Sequence, residues 1–229
     1  MQETSALYQS LLRMQGTTKE HRAVIGGQTY GQDRLVSCQT SRALFTGDTL
    51  AVGGCYAGQL SLSLREPGDV PRMAEIKLYT RLVNGEQTSE WLPAGVYFLD
   101  TREPDRASGV LAITGYDAML KAEQVYLREG DVGQWPRSMP VVVQDICARM
   151  DVTLDSRTVL SPAYMVEYPN DYTMREILGY IGAAHGGNWA MTPTGCLRLV
   201  TLAELPPETS LLIDDQGDAI LMGEVRIIV

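Results

Sequence analysis

His21 and His185 are the only two histidines in this 229-residue chain. General-base catalysis and zinc binding draw on histidine more than on any other side chain, so hydrolytic or metal-assisted chemistry has little to work with. His185 falls in the last turn of a predicted helix, where the dipole favours a cation and unpaired carbonyls need donors; it reads as a cap. His21 stands beside Arg22 at the start of the first predicted strand and reads as a surface residue. No G-x-S-x-G elbow, H-E-x-x-H pair or P-loop occurs. The Gly-Gly pairs at 26–27, 53–54 and 186–187 lack the strand-to-helix setting and the lysine of a phosphate cradle, so turn geometry explains them. Asp214, Asp215 and Asp218 approach a calcium loop, but the position six beyond its glycine, Gly217, is not the bidentate glutamate of an EF-hand, and predicted strands flank them, which favours a solvated turn. Glu66, Asp69 and Glu75 read as turn or strand-edge charges. Trp91, Trp135 and Trp189 would stack on a sugar only if they converged; otherwise they anchor a core or an interface. Cys38, Cys55, Cys147 and Cys196 form no C-x-x-C pair and read as small buried hydrophobes in a reducing compartment. No catalytic, cofactor-binding or metal-binding residue emerges, and the expectation is a protein that is not an enzyme.

The totals bound the remaining choices. The length allows one large or two ordinary domains, and 45% hydrophobic with 21% charged residues is the composition of a folded soluble protein. No apolar run reaches the length that spans a bilayer, and the first residues are too polar for a secretory signal. A net charge of −9 and a pI near 4.7 argue against a specific nucleic-acid surface, which needs clustered Lys and Arg.

The stretch Gly95–Leu120 divides the chain. Tyr97 and Leu99 alternate with Val96, Phe98 and Asp100, as in a strand with one buried face. Glu103–Gly109 carries turn chemistry, and Val110–Tyr116 alternates again. From Asp117, a predicted N-cap, the spacing of Met119, Leu120, Val125 and Tyr126 is helical. Before this joint the chain reads as β, with strands near Val24–Tyr30, Leu35–Thr40, Gln59–Arg65, Ala74–Val83, Gly95–Asp100 and Val110–Tyr116. Asn84-Gly85 is a hairpin signal, and short strands without intervening helices favour an antiparallel barrel or sandwich. Residues 3–15 predict an amphipathic helix ended by Gly16, able to cap its own domain or dock on a neighbour. After the joint the chain reads as α+β. A helix is predicted over Val141–Met150 with Pro140 in its first turn. A capping box at Thr173 and Glu176 opens a second helix that ends at Gly186-Gly187, and strands flank Pro193–Gly195 at Asn188–Thr192 and Cys196–Leu202. Beyond Pro206-Pro207, Ser210–Ile213 and Ala219–Val229 are strand-like. A chain that stops inside such a run suggests a truncated chain or the start of a further β domain. The expected fold class is a β-rich α+β protein. Residues 1–20 form a helix, 21–118 an antiparallel β-barrel, 119–209 a small α+β domain, and 210–229 the first strands of a second barrel.

The same stretch carries a resemblance. A Gly95-x-Tyr97-x-Leu99 strand, a turn, and a strand closing on Ile113-Thr-Gly-Tyr-Asp-Ala-Met-Leu120 resemble the hub proteins of tailed-phage tails. That group includes baseplate hubs of contractile tails and the N-terminal hub segment of tail-associated proteins. The order around it fits along nearly the whole chain. Ile25-Gly-Gly-x-x-Tyr30, the run Asp33–Leu64 and the Ala74–Val83 strand precede it. A short helix, a capped helix ending in Gly-Gly-Asn-Trp189 and a small hairpin follow. The resemblance implies a structural virion protein of a phage or prophage, made in the bacterial cytoplasm. It implies a homotrimer in which two barrels per subunit form a pseudo-sixfold ring around the DNA exit channel. Such a ring adapts the hexameric tail tube to a trimeric tail tip. Its implied partners are the tail tube or distal tail protein on one face, a tip, spike or fibre protein on the other, and a tape measure protein in the lumen. No cofactor is implied. Here only the first barrel is complete in sequence, and nothing matches the hydrolase or receptor-binding parts that many members carry. A hub of a phage-derived bacteriocin or type VI spike would read alike. Two alternatives belong to other classes. One is a carbohydrate-binding, receptor-binding β domain marked by converging tryptophans. The other is a hydrolase that depends on His185 or a nearby acid.

Overall fold

A computed structural model describes residues 3–45, 50–68, 70–127 and 133–202, together with the backbone of 221–222 and 225–226. Asp69, Pro206-Pro207, Ser210–Ile213 and the Asp214, Asp215, Asp218 cluster lie outside the described residues.

Helix α1 (Ala6–Arg13) is shorter than the predicted 3–15. Ser5 caps it by accepting from the Tyr8 N–H at 3.1 Å, and Met14 is already extended, with the Thr17 hydroxyl donating to the Leu11 and Met14 carbonyls. The predicted strand Val24–Tyr30 is instead a hairpin of β1 (Thr18–Ile25) and β2 (Gln28–Tyr30). Gly26 and Gly27 form its turn at φ 56° and 82°, and two consecutive positive φ angles are what a tight hairpin needs. Then come β3 (Leu35–Ser41), β4 (Gln59–Arg65), β5 (Glu75–Asn84), β6 (Gln87–Thr88), β7 (Leu92–Asp105) and β8 (Val110–Tyr116). β7 runs well past the predicted Asp100, because Glu103, Pro104 and Asp105 continue the ladder to Ala112, Leu111 and Val110. Pro104 is tolerated since β5 flanks β7 only as far as Phe98, leaving the outer edge free. The turn shrinks to the residues after Asp105, whose carboxylate accepts from the Ala107 N–H and the Ser108 hydroxyl.

These strands form one antiparallel sheet in the order β2-β1-β5-β7-β8-β4-β3, with β6 beside β5. Leu60, Leu62, Leu64, Ile76, Leu78, Tyr97, Leu99 and Ile113 alternate onto one face and share one buried cluster with Ala23, Ile25 and Tyr30 of β1 and β2. A single sheet can bury its own inner face only by curling, and β3 is brought close to β1. Among the described residues no ladder joins β3 to β1 or β2, so the sheet keeps two free edges.

After β8 the predicted helix does not form. Asp117 caps a 3₁₀ turn, Ala118–Glu123, which ends at Gln124. Extended pairing takes the next residues instead. The Gln124 carbonyl accepts from Met174, Tyr126 donates to the Tyr172 carbonyl, and Val125 bridges Thr173. Val125 and Leu120 are consequently exposed while Met119 and Tyr126 are buried. The chain continues through β9 (Arg137–Ser138), α2 (Met139–Met150), β10 (Met165–Val166), α3 (Met174–Ala184), β11 (Gly187–Met191) and β12 (Leu197–Thr201). Pro140 lies in the first turn of α2, and α3 opens on the complete capping box of Thr173 and Glu176. A second cluster holds this half together, with Met119, Tyr126, Ile146, Met150, Ile177 and Trp189 among its buried members. The predicted run Ala219–Val229 contains two short strands, β13 (Leu221–Met222) and β14 (Val225–Arg226), paired antiparallel.

Candidate assembly surfaces and the joint that orients them

Asp117 is almost fully buried at the point where sheet and helical half meet. Its carboxylate accepts from the Gly58 N–H at 2.8 Å and the Met119 N–H at 3.1 Å, and its own N–H donates to the Gly58 carbonyl. Burial raises its pKa above the ordinary carboxylate value, opposed by those two N–H donors and by the positive charges of Arg42 and Arg175. Residues 51–58, between β3 and β4, are laced to β11. Asn188 accepts from the Gly54 N–H at 2.6 Å and donates to the Ala51 carbonyl at 2.8 Å. Trp189 donates to the Gly54 carbonyl, Gly53 donates to the Gly187 carbonyl, and Cys55 bridges Trp189. Gly53 sits at φ +82°, and a Cβ there would stand 2.7 Å from the Gly179 carbonyl oxygen of α3. The helical half is therefore tied to the segment between β3 and β4, and it also touches β7, where Lys121 lies over Phe98.

The residues that could do chemistry are dispersed. His185 is the C-cap of α3, as predicted. Its Nδ1 lies 2.9 Å from the Ile181 carbonyl oxygen and donates to it, leaving Nε2 to accept from the Ser161 N–H at 2.9 Å. His21 is not a surface residue at a strand start. It sits within β1 on the face of Ala23 and Ile25, opposite Thr80, and burial together with Lys19 lowers its pKa. The three tryptophans do not meet. Trp91 packs between the guanidinium groups of Arg22 and Arg81, each 4.5 Å from its ring. Trp135 packs edge-on against Tyr126 and Tyr168. Trp189 is buried and donates to the Leu178 carbonyl. All four cysteines are free thiols. Burial pushes Cys55 up to about 12 and Cys38 and Cys147 up to about 11, so these three are inert at neutral pH. Among the described residues no group of His, Cys, Asp and Glu could hold a metal ion. One bracket escaped the sequence. Tyr126 donates to Asp145 at 2.6 Å, Arg149 reaches Asp145 at 3.2 Å and the Tyr126 carbonyl at 2.6 Å, and burial beside Asp145 pushes Tyr126 up to about 12. It ties α2 to the joint.

Three surfaces remain whose composition suits contact with protein. The first is the outer edge of β3, LVSCQTS, which carries no charge and no proline, with Val36 half exposed. Edge strands usually carry such guards against pairing. The second is a groove of about 220 Å³ between β10 and α3, lined by Met165, Tyr168, Pro169, Tyr172, Ile177 and Tyr180. Tyr168 and Tyr180 are 55% and 60% exposed, and exposed Glu167 and Asp171 stand beside them. The third is the outer side of α1, which sits on β5 by burying Leu11. Leu7, Leu12 and Met14 stay in solvent beside Arg13, Leu12 at 62%. Tyrosine, methionine and arginine are the residues that interface cores favour. Periodicity located α1, but only the fold brings tyrosines 168, 172 and 180 together.

No family model matches the chain, and no curated protein matches it. Solved structures do, two of them as follows. The 43 kDa tail protein of prophage MuSo2 from Shewanella oneidensis aligns with 86% of this chain at 14% identity and a TM-score of 0.53. A tail protein from Neisseria meningitidis MC58 aligns with 88% at 12% identity and a TM-score of 0.50. The chain spans 57% and 58% of those two proteins. At such identities the likeness speaks for architecture alone, and the architecture of this chain is one it shares with phage tail proteins.

Proposed function

We propose that this chain is a structural, non-enzymatic part of a phage tail or a related injection machine, acting as a hub between the tail tube and a trimeric tip. The observation that carries this is the alignment of nearly the whole chain, sheet and helical half together, with prophage tail architecture. The two free sheet edges support it. Edge β3 at one end of the sheet path and β1–β2 at the other are different surfaces of one molecule, and a contact between unlike surfaces makes a ring where its rotation closes and a filament where it does not. In this reading the curled sheet of residues 21–118 is the first β domain of the hub and 119–209 the domain beside it. Three copies surround the channel through which DNA leaves. The tail tube or distal tail protein covers one ring face, a tip, spike or fibre protein the other, and a tape measure protein occupies the lumen before ejection. The carbohydrate-binding alternative required tryptophans in one groove, and Trp91, Trp135 and Trp189 stand in three places.

Light scattering across protein concentration, with negative-stain images of the same sample, tests the proposal. Trimers with threefold ring images are expected. A strict monomer at every concentration, repeated with a chain extended past Val229, would overturn it.

A further inference from the structure

We infer that the outer face of the β11–β12 hairpin binds a carboxylate side chain of a partner polypeptide, an acid flanked by apolar residues, through the guanidinium of Arg198. Such binding is independent of the ring proposed above. Alternation builds the site. Trp189, Leu197 and Leu199 point into the buried cluster of the helical half, so Ala190, Arg198 and Val200 take the opposite face of the two strands. Ala190 lies directly across from Arg198, and its single methyl group leaves room beside the guanidinium. A groove of about 440 Å³ lies on this face, against about 220 Å³ for the tyrosine groove. Among the described residues its only charged lining groups are Arg157 and Arg198, both cations, in a chain whose net charge is −9.

The two arginines are not equivalent. Arg157 is already claimed, its Nε and one amino group donating to the two oxygens of Asp155 at 2.8 and 2.6 Å. The Arg198 charge acts on Asp155 only through space. Arg198 is half-buried, has no ion-pair partner among the described residues, and keeps an Nε–H that is shut from solvent without an acceptor. A buried donor without an acceptor is costly. A carboxylate answers both the charge and the donor, since a guanidinium presents parallel N–H groups that match its two oxygens. Charge also selects the class of partner. One unmatched cation suits one monoanionic group, whereas a nucleic acid needs a row of cations. Arg149, Arg157 and Arg175 of the same half are already paired with Asp145, Asp155 and Glu123. The rest of the lining includes Ala190, Met191, Pro193 and Val200, which suit apolar residues on either side of an acid in a polypeptide.

The test titrates the isotopically labelled chain with the peptide acetyl-Val-Glu-Val-amide and follows the amide resonances of Ala190, Arg198 and Val200. One charge-assisted pair with apolar flanks should saturate with a Kd of about 1–10 mM. Acetyl-Val-Gln-Val-amide should bind at least ~10-fold more weakly, because its side chain brings no charge. Arg198→Gln should weaken binding of the Glu peptide by at least ~10-fold, and Arg198→Lys, which keeps the charge without the fork, by ~3-fold. Circular dichroism checks that both variants are folded, and the comparison of the two peptides needs only the wild type. Equal binding of the Glu and Gln peptides overturns the carboxylate site, as does undiminished binding to Arg198→Gln. The absence of any saturable shift up to ~50 mM peptide, well above a millimolar Kd, overturns it too. Dimethyl phosphate, the monoanion of a phosphodiester backbone, is the other arm. Tighter binding of it than of the Glu peptide at the same amides would assign the groove to a phosphodiester and overturn the polypeptide partner.

Discussion

At the scale of single residues, Asp117 does two jobs, and the sequence shows only one. Its place before a predicted helical turn identified it as an N-cap, and it does accept from Met119. The bond to Gly58, 59 residues away, belongs to tertiary structure and leaves no local trace. Asp117→Ala strips an acceptor from two buried N–H groups and should cost about 2–5 kcal/mol, while Asp117→Asn, which keeps one acceptor, should cost about half. Urea unfolding of the two variants checks both. The pH dependence has a definite sign at each buried group. Asp117 has a folded pKa above 3.8, so its contribution is fullest below that value and is lost as pH rises toward the folded pKa. His21 has a folded pKa below 6.5, so its contribution is complete above 6.5 and is lost as pH falls below it. The midpoint of thermal unfolding should therefore drop between pH 7.5 and 5.5, and His21→Gln should flatten that slope. An unchanged slope in His21→Gln would place the titration elsewhere.

Elements were legible to the extent that their signals are local. Alternation gave β4 and β8 with the predicted bounds, and the capping box placed the start of α3. Failures occurred where a partner decides. Val125 and Tyr126 carry helical spacing but pair in extended form with Thr173 and Tyr172, a competition that only the docked α3 can win. Likewise β7 runs through Pro104 because its outer edge is free there, and an unpaired edge cannot be read from the strand itself. The Gly-Gly at 53–54 was rightly read as turn geometry, but its positive φ serves a close approach to α3. Gly53→Ala would meet the Gly179 carbonyl oxygen in a conformation alanine resists. Strain and overpacking together should cost about 2–4 kcal/mol, and amide hydrogen exchange should rise in both β11 and the 51–58 segment. At the free edge, Val36→Lys or Gln39→Lys should leave the monomer folded with an unchanged melting temperature. Either should abolish ring formation, since an edge lysine guards against strand pairing. Rings persisting in both variants would remove β3 from the interface.

At the scale of the whole molecule, charge is the property that composition foretold and assembly would use. With 28 acidic against 19 basic residues, the chain has little excess cation to release counterions from a phosphate backbone. A ring around a DNA exit channel requires that property of its lumen, because each inward Lys or Arg would add a phosphate contact and hold the duplex during passage. The loops that face the channel are therefore expected to be neutral or acidic. Several arginines already have an acidic partner within the chain. Arg81 pairs with Glu20, Arg149 with Asp145 and Arg157 with Asp155, so their charge is matched within the chain. Assembled rings should show no retention of duplex DNA on filters even at 20–50 mM salt, where electrostatic binding is strongest. Retention that weakened steeply with salt would mean a cationic lumen, and a chain carrying one would be built to grip DNA rather than release it.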